Sequence, residues 1–144
     1  MTCVKQVSVF LENRKGSLAA VCSTLGDVNV NILALSIAEI DNFGICRLIV
    51  SDTEKAAEIL RKSGYTVRLT DVLAVCVPDR PNGLYDVLNL IEKEDISVEY
   101  MYSFVRNSGF DALLIFRMSD DEKAEKVLRE NYVRLLDAEQ IAAL

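Results

Sequence analysis

Apolar residues along this chain switch between two spacings, and the switches mark out its elements. From Val4 to Glu12 they alternate, with Val7, Val9 and Leu11 on one side and Phe10 on the other, which predicts a strand. After the turn Asn13-Arg14-Lys15-Gly16, Leu18, Val21, Cys22 and Leu25 recur at helical spacing from Ser17, and Gly26 is expected to end the helix. Ile32 to Ile40 and Phe43 to Val50 read as two strands joined at Asp41-Asn42. Ser51 and Glu54 have the spacing of a capping box, opening a helix whose inner face is Ala56, Ile59 and Leu60 and which Gly64 closes. Tyr65 to Leu69 is the last strand of this series.

The same order then begins again. Val72 to Val77 predicts a strand, Asp79 to Gly83 a turn, and Leu84, Val87, Leu88 and Ile91 a helical stripe. Val98 to Arg106 and Phe110 to Met118 form a hairpin around Asn107-Ser108-Gly109. Ser119 and Glu122 repeat the capping pattern ahead of Ala124, Val127 and Leu128, Tyr132 to Leu136 is a strand, and Asp137 to Leu144 is an amphipathic tail. The letters repeat as well as the pattern. Ser51-Asp52-Thr53-Glu54-Lys55-Ala56 returns as Ser119-Asp120-Asp121-Glu122-Lys123-Ala124, and, with two residues deleted, Tyr65 and Val67-Arg68-Leu69 return as Tyr132 and Val133-Arg134-Leu135.

Two βαββαβ units follow, residues 1–70 and 71–144, each a ferredoxin-like α+β sandwich with an antiparallel sheet and its helices on one face. Only Thr70 and Asp71 separate them. The second strands, Ile32 to Ile40 and Val98 to Arg106, are long apolar edges. Open edges of that kind invite aggregation, so the sheets are expected to join side by side through these strands.

Composition narrows the chemistry. The 144 residues are 51% hydrophobic, and 16 Lys+Arg against 22 Asp+Glu give a net charge of −6, a field that repels nucleic acid. The longest apolar run, Val72 to Val77, is too short to span a bilayer, so no membrane partner is expected. Four cysteines, Cys3, Cys22, Cys46 and Cys76, lie singly in apolar stretches. They fit buried thiols in a reducing cytoplasm and supply no zinc motif. Histidine is absent, which removes the commonest general base and metal ligand. Neither a catalytic residue nor a metal or cofactor is predicted.

A binding site has to come from the turns. Asn13-Arg14-Lys15-Gly16-Ser17-Leu18 puts glycine at a helix amino end, where free N–H groups favour a carboxylate, and Asp79-Arg80-Pro81-Asn82-Gly83-Leu84 stands at the corresponding place in the second copy. Each first helix is followed by a polar residue opening the next strand, Asn31 before Ile32 and Ser97 before Val98. With the edge strands paired, these residues would approach the turns of the opposite unit.

The run Leu11-Glu12-Asn13-Arg14-Lys15-Gly16-Ser17-Leu18, with Gly26-Asp27-Val28-Asn29-Val30-Asn31-Ile32 after it, resembles the ACT domain, a small regulatory module of amino-acid metabolism. The resemblance covers nearly the whole chain, twice. It implies a binder of a free amino acid at the interface of two ACT units, controlling a metabolic enzyme. By position it implies that Asn13 and Asn31 hold the ligand's amino and carboxylate groups, while Gly16 to Leu18 give main-chain contacts. In the second copy Arg80 is aligned with Asn13 and Ser97 with Asn31, so that pocket departs from the pattern. A cytoplasmic homodimer formed through the helix-free face at Phe10 is expected. Two other functions stay open: a regulatory subunit acting mainly by protein contact, and a small ferredoxin-like enzyme.

Overall fold

A computed structural model describes residues 2–104 and 111–144. The hairpin turn expected at Asn107-Ser108-Gly109 lies outside the described residues, as do Val105, Arg106 and Phe110. The chain divides into a first unit, Lys5–Thr70, and a second, Asp71–Leu144 together with the segment ending at Val4.

In the first unit β1 (Val4–Glu12) runs into α1 (Ser17–Asp27), then β2 (Ile32–Ile40), β3 (Phe43–Val50), α2 (Thr53–Lys62) and the opening residues of β4 (Thr66–Pro78). The strand order is β2-β3-β1-β4. β1 and β3 are antiparallel, with Val7 opposite Leu48 and Val9 opposite Cys46. Alternation then puts Val7, Val9, Leu11, Cys46 and Leu48 on one sheet face, where Val21 and Leu25 of α1 and Ala56 and Leu60 of α2 cover them. Leu25, Leu48 and Leu60 are fully buried.

The second unit repeats this with the rest of β4, α3 (Gly83–Glu92), β5 (Val98–Ser103), β6 (Asp111–Met118), α4 (Asp121–Glu130), the two-residue β7 (Leu135–Leu136) and α5 (Ala138–Ala142). Its order is β5-β6-β4, with β7 on the other side of β4. Leu73, Val75, Val77 and Phe116 meet Val87 and Ile91 of α3 and Ala124 and Leu128 of α4. The segment ending at Val4 is tied to α4: the Glu125 carboxylate accepts from the Thr2 backbone N–H at 2.8 and 3.0 Å, and Arg129 donates to the Thr2 hydroxyl at 2.7 Å. Burial works against ionisation of Glu125, but these hydrogen bonds outweigh it and hold the carboxyl below its ordinary value.

Several local expectations are corrected. The units divide between Thr70 and Asp71, and both residues are extended within the 13-residue strand β4 rather than in a linker. β2 is paired with β3 and β5 with β6, and each ends the strand order of its unit among the described pairs. The caps of α2 and α4 are Asp52 and Asp120, whose carboxylates accept from Lys55 N and Lys123 N at 3.1 Å. Their neighbours Ser51 and Ser119 do something else, described below. A capping box does occur, at Asp137 and Gln140 ahead of α5. Gly26 lies inside α1, and the chain leaves the helix through Asn29, whose φ of 59° has a twin in Asp95 at 58° after α3. All four cysteines are free. Cys46 and Cys76 are buried, whereas Cys3 and Cys22 are only half-buried.

Candidate functional site

The turn before α1 is built by its backbone. Arg14 N–H donates to Glu12 O at 2.9 Å, Ser17 N–H to Arg14 O at 3.2 Å, and Ala20 N–H to Gly16 O at 3.0 Å. Gly16 is the N-cap at φ 88°, a left-handed geometry that glycine adopts without strain, and no side chain caps the helix. The turn before α3 has the same bonds: Arg80 to Pro78 O at 3.0 Å, Gly83 to Arg80 O at 3.0 Å and Asp86 to Asn82 O at 2.9 Å. They match Arg80 with Arg14, Asn82 with Gly16 and Gly83 with Ser17. The expected pairing of Arg80 with Asn13 is therefore one place out. Asn82, at φ 65°, is the left-handed residue here, since asparagine tolerates that region better than most side chains. Gly83 serves packing: a Cβ on it would lie 2.0 Å from Pro78 O.

The first turn opens on a groove of about 610 Å³ inside the first unit. Arg14, Lys15, Gly16 and Ser17 form one bank, with Ala20 on the first turns of α1. Phe10 to Glu12 at the end of β1 and Gly64 to Thr66 beyond α2 form the rest. Arg14 Nη1 stands 3.5 Å from Glu12 Oε2, and both side chains are mostly exposed, so the pair adds little stability but sets opposite charges side by side. The equivalent groove of the second unit, about 300 Å³, includes Gly83, Cys76, Asp86, Tyr132 and Arg134. Burial raises the Cys76 thiol above its ordinary value, with Arg134 opposing and Asp111 reinforcing the shift. Ser97 and Val98 line a third groove, of about 440 Å³, with Ile91 and Glu92.

The remaining predicted residues lie elsewhere. Asn13 is exposed; its side-chain amide donates to Glu39 Oε1 at 2.7 Å and its backbone N–H to Asn42 O at 2.8 Å. Arg80 is paired with Asp86 at 3.0 Å. Leu18 and Ile32 pack on the first core and Leu84 and Val98 on the second. Asn31 is exposed and exchanges bonds with Ser51: its N–H donates to Ser51 Oγ at 2.9 Å and its carbonyl accepts from Ser51 N–H at 2.9 Å. Ser97 and Ser119 repeat that exchange at 3.0 and 2.9 Å. Asn13 follows Glu12, opposite Phe43 at one end of β3, and Asn31 precedes Ile32, opposite Val50 at the other, so roughly 23 Å of strand separates them. One amino acid cannot touch both within one unit.

Sequence reasoning missed Phe10, Glu12 and Tyr65 as groove residues. The only signal for Tyr65 was its place just after a helix-ending glycine. Nothing local says that the turn beyond α2 stands beside the turn before α1; the adjacency of β1 and β4 in the strand order does.

Among the described residues no group of three or more Cys, Asp or Glu is arranged to hold a metal ion, and no helix is long and apolar enough to cross a membrane. The family described as ACT domain pair matches residues 1–144. Protein BT0572 from Bacteroides thetaiotaomicron is 40% identical, with 99% of this chain and 98% of that one covered and a TM-score of 0.92. The ligand-free regulatory subunit of aspartate kinase from Thermus thermophilus is 14% identical over 91% of this chain and 92% of that one, TM-score 0.67. Its counterpart from Thermus flavus is 14% identical over 92% of each, TM-score 0.64. These two share the fold. No curated protein matches the chain.

Proposed function

The chain belongs to the ACT domain pair family, and from that premise we propose that it is a regulatory, non-catalytic protein that binds a free amino acid and passes its presence to a partner enzyme of metabolism. The observation that carries this reading is the groove at the turn before α1, where the uncapped helix end, Arg14 and Lys15 surround one cavity. A carboxylate meets backbone N–H donors, the positive end of the helix dipole and two cationic side chains there. Gly16 and Ser17 give main-chain contacts. Asn31 adds its amide from a second copy of the chain, because the length of β3 separates it from Asn13 within one unit. Binding favours one arrangement of the units, and the partner responds to that arrangement.

A thermal-shift screen against the free amino acids tests the reading. A ligand at a hundred times its dissociation constant stabilises the folded state by about 2.7 kcal/mol, roughly 5–10 °C in midpoint at this size. No shift with any of them at millimolar concentration would overturn it. So would a shift that survives Arg14→Ala combined with Lys15→Ala.

A further inference from the structure

Resting on the amino-acid reading, we propose that the first-unit groove selects an α-amino acid with a second carboxylate, of the aspartate or glutamate kind, and that the chain binds one such molecule because its second groove has no spare cation. The lining of the first groove is mainly polar. Alternation along β1 turns the Phe10 side chain to the helix-free face, so the groove is bordered by groups that carry a charge or a hydroxyl: Glu12, Arg14, Lys15, Ser17 and Thr66. Positive features outnumber the negative one. The uncapped end of α1, Arg14 and Lys15 stand against a single carboxylate, that of Glu12, 3.5 Å from Arg14. A zwitterion with a neutral side chain occupies one group of each sign, its carboxylate at the helix end and Arg14 and its ammonium at Glu12. Lys15 is then left over, and its side chain has no ion pair or hydrogen bond among the described residues. A second carboxylate on the ligand supplies that partner, and the Ser17 and Thr66 hydroxyls can donate to its oxygens. On a chain of net charge −6, a groove with surplus positive charge is an exception that draws in anions.

The second groove provides the internal comparison. The matched turn bonds set Pro81 where Lys15 stands and Pro78 where Glu12 stands, so the spare cation and the rim carboxylate are both gone. Arg80, the counterpart of Arg14, is already held by Asp86 at 3.0 Å. Asp86 takes the place of Ala20: its N–H donates to Asn82 O at 2.9 Å as that of Ala20 donates to Gly16 O at 3.0 Å. Asp86 and Asp111 both line the second groove, and Arg134 is the cation among its described lining residues. Two carboxylates against one arginine reverse the balance of the first groove, and a ligand with two carboxylates of its own is repelled there.

Isothermal titration of the full chain tests this with two pairs matched in shape but not in charge, L-aspartate with L-asparagine and L-glutamate with L-glutamine, and with L-leucine and L-lysine beside them. At least one acid is expected to bind about fivefold more tightly than its amide, the upper end for an ion pair open to water, and more tightly than leucine or lysine, with one molecule per chain. Lys15→Gln removes the spare charge from an exposed turn residue. It should bring acid and amide to within twofold of each other by weakening the acid alone, while the melting temperature of the free protein stays unchanged. An amide, leucine or lysine bound as tightly as the better acid, two molecules per chain, or an acid preference undiminished in Lys15→Gln would overturn the selectivity and leave the amino-acid reading standing. Binding of none of the six, with another amino acid active in the thermal screen, has the same meaning. Silence in both assays removes the underlying reading as well.

Discussion

Tyr132→Gly is expected to make the protein more stable, an unusual result for removing an aromatic ring. The ends of α2 and α4 are matched bond for bond: Gly64 N–H donates to Arg61 O at 3.0 Å and Tyr132 N–H to Arg129 O at 3.1 Å. Tyr132 therefore occupies the left-handed place that glycine fills in the first unit, with φ 62° against 93°. For an ordinary side chain that conformation costs about 1–2 kcal/mol. The ring repays none of it through burial, since Tyr132 is 97% exposed. Glycine removes the strain but gives the unfolded chain extra freedom worth roughly 0.5–1 kcal/mol. The net gain is about 0.5–1 kcal/mol, to be read as a higher urea midpoint at unchanged slope. The reverse change checks the reasoning. A Cβ on Gly64 would meet nothing within 4 Å, so Gly64→Ala should lose about 1 kcal/mol from backbone conformation alone. A neutral Gly64→Ala, or a Tyr132→Gly variant less stable than the parent, would refute it.

Three further outcomes can be measured by the same unfolding experiment. Gly83→Ala forces a Cβ to within 2.0 Å of Pro78 O, a backbone atom, and should cost about 2–3 kcal/mol, whereas Gly26→Ala, with open space and no positive φ, should gain about 0.5–1 kcal/mol. Asp52→Ala and Asp120→Ala should each cost about 1 kcal/mol, with Glu54→Gln and Glu122→Gln nearly silent because neither glutamate completes a capping box. Burial, with Cys22 adding to it, pushes the Cys46 thiol up to about 12 from its ordinary value of 9.0. The unfolded thiol then loses its proton first, so stability falls between about pH 9 and 12, by up to roughly 1.4 kcal/mol per pH unit. Cys46→Ala should be less stable at pH 7 but show a shallower decline in that window; an equal decline would refute the assignment.

The cores were legible because periodicity alone states which residues share a face: Val7, Val9 and Leu11, or Leu84, Val87, Leu88 and Ile91, needed no knowledge of the fold. What failed was one-residue phasing. Ser51 and Asp52 both have cap chemistry, and only backbone geometry shows that the aspartate caps while the serine bonds Asn31. The alignment of Tyr65 with Tyr132 followed the letter and missed the conformation, since the bonds match Tyr65 with Val133 and leave the length difference in the β2–β3 and β5–β6 hairpins. Of the site, the Arg14 to Ser17 bank could be read from the turn motif. Phe10 and Tyr65 could not, because they reach the groove by strand order, a long-range property that no local pattern encodes.

The two turns, Glu12 to Gly16 and Pro78 to Asn82, have equal lengths and corresponding backbone bonds while differing in almost every side chain. Nature has thus already performed a swap of contents within a constant frame. Transplanting either loop into the other's position requires no insertion, and the recipient helix begins in step. The molecule is a ready host for modular recombination, in which recognition is exchanged as a cassette and the scaffold is left to hold its shape.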